Sequence, residues 1–366
     1  MKPFFQDCAS GWDDPDLLSE YGFALTQLSQ LEEAKKVYQR WSELNTDQAR
    51  PLYCLGYVYY LEENWQEAIF YFEQALRIYP DYFICLYRLA YALFQYRKPR
   101  RALRCLEQLK AIYQKKEDQD WLRRNKKTWV RSLFLSGKSY YVIKEYQQAL
   151  QDFQQVVEID QKNYIVLEFK WYEIAKTLVA LKRYQEALHH LQQALNQRFP
   201  QPYILDLKGQ VLTQMNKYSE AIETFTQALQ KRKFAYILLH RARTYIAMGN
   251  FSEAARDLHE ALKRDKKGRH KIYLELGKLS QRQKRLSEAQ HYFKQAIQYK
   301  QKIYGSDFAE AHYAMALCYL ETNDTDSAKE SLAKALSANP NLEWDTTLRN
   351  LMETKQSTSL DSIKQF

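Results

Sequence analysis

Residues 52–80 read LYCLGYVYYLEENWQEAIFYFEQALRIYP. Leu52, Leu55, Gly56 and Tyr59 recur at helical spacing, the polar run Glu62-Glu63-Asn64 interrupts them, and Ala68, Phe72 and Ala75 resume the spacing until Pro80. Apolar residues at i, i+3 or i+4 and i+7 mark one face of an amphipathic helix, and a proline just past the last of them is a stop signal. The stretch therefore predicts two short helices joined by a tight turn.

The pattern recurs along the 366-residue chain. The small residue opening the second helix appears as Ala34, Ala68, Ala102, Ala149, Ala187, Ala221, Ala254, Ala289 and Ala328, at intervals of 34, 34, 47, 38, 34, 33, 35 and 39 residues. Four positions after each stands Tyr38, Phe72, Leu106, Phe153, Leu191, Phe225, Leu258, Phe293 or Leu332. Twelve positions before each stands Gly22, Gly56, Ala90, Gly137, Ala175, Gly209, Ala242, Gly277 or Ala316, small enough to let two antiparallel helices approach closely. Seven positions after the marker, Trp41, Leu109 and Val156 are large where the other units have Ala, so the first, third and fourth units are expected to pack less regularly.

The spacing Leu-x2-Leu-Gly-x2-Tyr followed by Ala-x3-Phe-x2-Ala-x4-Pro resembles the tetratricopeptide repeat, a helix-turn-helix unit of about 34 residues, with Leu52 where the family often has Trp. The resemblance implies an all-α fold: a right-handed α-solenoid superhelix of about nine such repeats over residues 15–340, following an N-terminal segment, 1–14. The two largest additions to the period are expected around Gln114 to Thr128, in a connection or an extended helix, and around Tyr299 to Phe308, where Gly305 is a helix terminator. Residues 341–354 have the spacing of a capping helix, which solenoids need to close their last unit. Residues 355–366 lack periodicity and are expected to be disordered.

Composition narrows the function. With 9 Gly and 8 Pro there are too few turn formers for a sandwich or a Gly-rich phosphate-binding fold. There is no GxGxxG, GxxxxGK[ST] or GxSxG sequence, and the seven histidines show no ligand spacing, so neither catalysis, a metal nor a cofactor is expected. Five scattered cysteines without a CxxC pair suggest a reducing cytoplasm, and the acidic first 16 residues do not read as an export signal. No apolar run approaches membrane-spanning length.

Charge is segregated. Residues 97–131 carry 13 basic against 4 acidic residues and residues 231–285 carry 16 against 5, whereas residues 1–96 carry 7 against 14. The two basic blocks are either solvated turns and helix ends or an electrostatic footprint for an acidic partner or a phosphate backbone.

The resemblance implies that first helices line a concave groove where ligands bind. The positions three before, one after and four after the Gly or Ala marker then give Tyr53, Tyr57 and Tyr60, Tyr87, Tyr91 and Phe94, Phe134, Lys138 and Tyr141, and Tyr172 and Lys176, with Arg243 and Lys278 continuing the cationic position. Aromatic anchors beside cations suit an extended or helical, acidic protein segment. The expected function is a non-catalytic scaffold or adaptor that binds one or more proteins. The alternative is RNA or single-stranded DNA on the basic blocks 97–131 and 231–285, and a third reading is self-association through an incompletely capped end. The family's two-carboxylate clamp needs Lys three before the marker, and none of the nine units has it.

Overall fold

A computed structural model describes residues 14–196, 201–230 and 232–342. Eighteen α-helices and no strand occur among the described residues, and they form two compact units, Met1–Gln197 and Arg198–Phe366. The N-terminal unit pairs α1 (Pro15–Gln27) with α2 (Leu31–Leu44), α3 (Ala49–Leu61) with α4 (Trp65–Ile78), α5 (Phe83–Gln95) with α6 (Pro99–Lys115), α7 (Gln119–Val142) with α8 (Tyr146–Ile159) and α9 (Leu167–Ala180) with α10 (Tyr184–Leu195). The C-terminal unit pairs α11 (Pro202–Gln214) with α12 (Tyr218–Leu229), α13 (Ala235–Ala247) with α14 (Phe251–Arg264), α15 (Arg269–Arg282) with α16 (Leu286–Tyr304) and α17 (Ala309–Glu321) with α18 (Thr325–Ala338). The N-terminal segment up to residue 13, the capping helix beyond residue 342 and the expected disordered tail lie outside the described residues.

The packing inside each pair follows a volume rule. A Cβ added to Gly56 would sit 2.8 Å from the Phe72 ring, one on Gly137 2.7 Å from Phe153, and one on Gly209 2.6 Å from Phe225. Gly22 and Gly277 oppose Tyr38 and Phe293 in the same way. In the four remaining pairs the marker is Ala (Ala90, Ala175, Ala242, Ala316) and the second helix supplies the smaller Leu106, Leu191, Leu258 or Leu332. Glycine thus makes room for a ring and alanine for a leucine, keeping the layer filled at near-crystalline density. Trp41, Leu109 and Val156 are 3%, 0% and 0% exposed, against 0% for Ala75, so the larger residues at that position are buried as the alanine is.

The turn within each pair repeats too. Five residues before the alanine that opens each second helix (Ala34, Ala68 and their equivalents) the backbone is left-handed in all nine pairs: at Ser29, Glu63, Arg97, Lys144, Lys182, Asn216, Gly249, Lys284 and Asn323. The next amide reaches back to the first helix, as in Gln30 N to Leu25 O at 2.9 Å and Asn64 N to Tyr59 O at 3.0 Å, which satisfies carbonyls that the helix end leaves open. Eight of the nine positions carry a side chain where glycine would be unstrained, which explains how so many turns coexist with so few glycines. Where the first turn of a second helix carries Glu67, Glu186, Glu220, Glu253 or Glu288, the acid complements the helix dipole.

The additions to the period have distinct fates. Most of the 13 extra residues near 114–128 are helical, lengthening α6 to 17 and α7 to 24 residues and leaving 116–118 as the connection. The later addition lengthens α16 to 19 residues and ends at Gly305 with φ 61°, as the terminator reading expected. The third long interval becomes the connection 160–166 between α8 and α9, held by a buried ion pair. Lys170 Nζ lies 2.8 Å from Asp160 Oδ2, both side chains being at most 1% exposed, and Lys170 also donates to Asp160 O at 3.0 Å and Asn163 Oδ1 at 3.1 Å. Asp160 in turn accepts from Tyr164 N and Ile165 N, both at 2.9 Å. Burial opposes ionisation of this carboxyl, but the hydrogen bond from Lys170 and the two amides prevail and hold it below its ordinary value.

Candidate groove sites on the first helices

In the N-terminal unit the sequence-expected residues meet in a ladder. The ring four after the marker touches the residue one after the marker in the next pair. Tyr60 lies 5.4 Å from Tyr91, Lys138 Nζ lies 5.6 Å from the Phe94 ring, and Lys176 Nζ lies 4.2 Å from the Tyr141 ring. A cation over an aromatic face is held by the ring quadrupole. Residues three before the marker sit deeper: Tyr53 packs 5.8 Å from Phe72, Phe134 lies 5.4 Å from Phe153, Tyr87 is buried and Tyr172 is half-buried. Tyr57 stacks between Tyr53 (6.3 Å, 8°) and Tyr60 (5.9 Å, 22°), so α3 alone presents three rings.

Arg88, absent from the sequence-based set, completes this cluster. Its Cζ lies 4.8 Å from both the Tyr57 and Tyr60 rings and 5.9 Å from Tyr87, and its Nε is buried without a hydrogen-bond partner. Burial pushes the Tyr53 and Tyr60 phenols up to about 12, against a smaller opposing pull from Arg88, so at neutral pH they remain uncharged donors.

In the C-terminal unit the same positions carry ion pairs. Arg243 on α13 and Lys278 on α15 converge on Glu275 Oε1 at 2.9 and 3.1 Å; the carboxylate is 5% exposed and the two cations 44% and 46%. Arg243, Lys278 and Glu310 line two adjoining clefts of about 770 and 490 Å³, the larger also bordered by Arg282 and Tyr313, the smaller by His240 and Lys271. His240 Nδ1 lies 2.8 Å from Asp206 Oδ1, a contact between successive first helices. Because Glu275 already balances one of its two cations, this face is less cationic than Arg243 and Lys278 alone suggested.

Arg88, Glu173, His240 and Glu275 all stand two before the marker, outside the three groove columns of the repeat pattern. Glu173 and Lys176 (3.0 Å) and Glu275 and Lys278 are i, i+3 pairs, and that spacing was the available signal. The basic residues of block 97–131 cluster at the start of α6, the α6–α7 elbow and the first half of α7. In block 231–285, Arg232, Lys233, Lys263, Arg264, Lys266, Lys267, Arg269 and Lys271 flank the α12–α13 and α14–α15 connections, whereas Arg241, Arg243, Arg256, Lys278 and Arg282 lie within α13, α14 and α15; Lys231 is outside the described residues. Among the described residues no three His, Cys, Asp or Glu side chains converge as a metal site, and no helix is long and apolar enough to cross a membrane.

Models of known repeat families match most of the chain. Models described as tetratricopeptide repeat match residues 49–82, 212–274 and 280–351, and one described as tetratricopeptide repeat-like domain matches residues 90–236. Among solved structures, the type IV pilus biogenesis factor PilW is similar over 61% of this chain and 98% of its own at 20% identity and TM-score 0.49. Yeast Tom70 is similar over 90% and 77% at 17% identity and TM-score 0.45. MamA from Desulfovibrio magneticus RS-1 is similar over 50% and 94% at 18% identity and TM-score 0.43. No curated protein sequence matches the chain. Nine helix pairs with a common turn and a common packing rule, matched by repeat models over most of the chain, place this protein in the tetratricopeptide repeat family.

Proposed function

We propose that the protein is a non-catalytic scaffold that holds a segment of a partner protein against its first helices. The observation that carries this reading is the ladder of half-buried rings and cations on α3, α5, α7 and α9, from Tyr57 and Arg88 through Tyr91, Phe94 and Lys138 to Tyr141 and Lys176. Rings already fixed by stacking lose little conformational entropy on binding, and Tyr and Arg supply much of the energy at protein interfaces. The partner segment is extended or helical. Its apolar side chains lie on the rings of the N-terminal unit, where its acidic side chains pair with Lys138 and Lys176; the cations Arg243 and Lys278 offer acidic side chains a separate place on the C-terminal unit.

A reducing cytoplasm fits the thiols. Cys54, Cys85, Cys105 and Cys318 are unpaired, and burial pushes Cys54 and Cys105 up to about 11, making them poor nucleophiles. The test is selection of binders from a displayed random-peptide library on the full chain. Enriched peptides should combine aromatic or aliphatic residues with Asp or Glu. They should lose affinity for a Tyr57→Ala/Tyr91→Ala/Lys138→Ala variant of unchanged helicity; undiminished binding to that variant would rule the reading out.

A further inference from the structure

The two places where the N-terminal unit breaks its period meet at one cavity. The lengthened start of α7 follows the 47-residue interval, and the connection 160–166 follows the 38-residue interval. Both border a cavity of about 570 Å³ at the edge where successive pairs are joined, apart from the ring ladder. Gln119, Leu122, Arg123 and Lys126 line it from α7 at i, i+3, i+4 and i+7, one face of the added turns. Lys162 and Tyr164 face it from the connection, Tyr113 from the end of α6, and Ile159 from the end of α8.

The chemistry of this wall is uneven. Arg123, Lys126 and Lys162 supply three cations against the single carboxylate of Glu158. Arg123 also pairs with Asp120 at 3.0 Å, but both side chains are more than 70% exposed, and such pairs contribute little and are readily exchanged. Beside the cations stand two tyrosine rings and the apolar Leu122 and Ile159. Tyr113 is fixed by stacking on Trp129 at 4.6 Å and 11°. The connection carrying Lys162 and Tyr164 is fixed by the buried Lys170–Asp160 pair and the Tyr164 and Ile165 amides. A solvated basic surface needs none of this. Ordering a connection around a fully desolvated ion pair is expensive, and it sets the positions of the residues that face the cavity.

We infer that this cavity binds a nucleotide-sized phosphate ester, its phosphate held among Arg123, Lys126 and Lys162 and its ring against the tyrosines. The volume lies within the range of about 300–1,000 Å³ common for small-ligand sites, and three cations less the Glu158 carboxylate leave two positive charges to meet a phosphate dianion. A free nucleotide and the 5′-terminal nucleotide of a single strand present the same group. The inference is independent of the protein-binding groove and stands or falls without it.

The experiment is calorimetric titration of the full chain with adenosine 5′-monophosphate, adenosine, and a short oligodeoxyadenylate with either a 5′-phosphate or a 5′-hydroxyl. The monophosphate should bind at least tenfold more tightly than adenosine. Lys126→Gln/Lys162→Gln should weaken it at least tenfold more, while Arg124→Gln/Lys127→Gln, on neighbouring positions outside the cavity, should change it less than twofold. A free nucleotide that outcompetes the 5′-phosphorylated strand identifies a small-molecule site; a strand that binds at least tenfold better with its 5′-phosphate identifies strand-end recognition. No binding of the monophosphate or of either strand at millimolar concentration would overturn the inference. So would equal affinity with and without phosphate, or equal losses in the two double variants. The phosphate comparison is made on the unaltered chain, so it stands even where a variant folds poorly.

Discussion

The two units use one backbone plan and fill its first-helix face differently. In the N-terminal unit the columns one and four after the marker hold Tyr57, Tyr60, Tyr91, Phe94 and Tyr141, and the cations Lys138 and Lys176 lie over rings. In the C-terminal unit the corresponding cations, Arg243 and Lys278, are held by a buried carboxylate, and open clefts flank them. A register fixed by small residues and turns leaves this face free to vary. The N-terminal face is mainly aromatic with cations over its rings, and the C-terminal face carries shared ion pairs bordered by clefts.

The buried charges should differ most. Lys170→Met leaves Asp160 desolvated without its counter-ion, with only the Tyr164 and Ile165 amides to hold it, and should cost the N-terminal unit about 3–5 kcal/mol in denaturant unfolding. Arg241 in the C-terminal unit makes a bidentate pair with Asp257 at 2.7 and 2.8 Å but is 17% exposed, so Arg241→Met should cost less, about 1–3 kcal/mol. Equal losses would break the distinction. Acid sharpens it: Asp160 is held below its ordinary 3.8, so its contribution is complete above that pH and disappears as pH falls through the lower folded value. The Lys170→Met variant should lack this component of acid unfolding.

The packing rule should hold equally in both units. Gly137→Ala and Gly277→Ala each force a Cβ into a ring and should cost about 1–3 kcal/mol, and pairing them with Phe153→Leu or Phe293→Leu should restore most of it. A failure of the second change to restore stability would refute the volume rule. Smaller still, Glu63→Gly and Lys284→Gly should each raise stability by about 0.5–1 kcal/mol by relieving a left-handed backbone, and Gly249→Ala, at φ 80°, should lower it by a similar amount. The smallest effect is pH-dependent. Burial, aided by Lys300 and Lys271, holds His270 below its ordinary 6.5, so the neutral ring favours the fold above that pH. His270→Phe should flatten the loss of stability as pH falls below 6.5.

Much of this was legible in the sequence. The nine markers, the intervals and the small residues predict the pairs, and both halves of the volume rule stand in plain sequence as Gly with Phe or Tyr and Ala with Leu. The ring ladder was legible because it follows helical positions. The Arg88 contact and the Glu275–Arg243 pair were not, because they act across pairs: Arg88 reaches Tyr57, and Glu275, whose i, i+3 spacing shows only its bond to Lys278, also reaches Arg243 32 residues earlier. The cavity beside α7 was hidden for a similar reason, since its walls come from two interruptions of the period, and a repeat reading treats interruptions as noise.

The most direct test of the groove account is the affinity of one library-selected peptide for four versions of the chain: unaltered, Tyr57→Ala/Tyr91→Ala/Lys138→Ala, Lys138→Ala/Lys176→Ala, and Phe70→Ala. Phe70 is an exposed ring on the second helix α4. The account predicts a loss of at least a hundredfold for the triple variant, a smaller loss with a shallower salt dependence for the double variant, and no change for Phe70→Ala. A peptide that loses affinity with Phe70→Ala and keeps it with the triple variant would contradict the account.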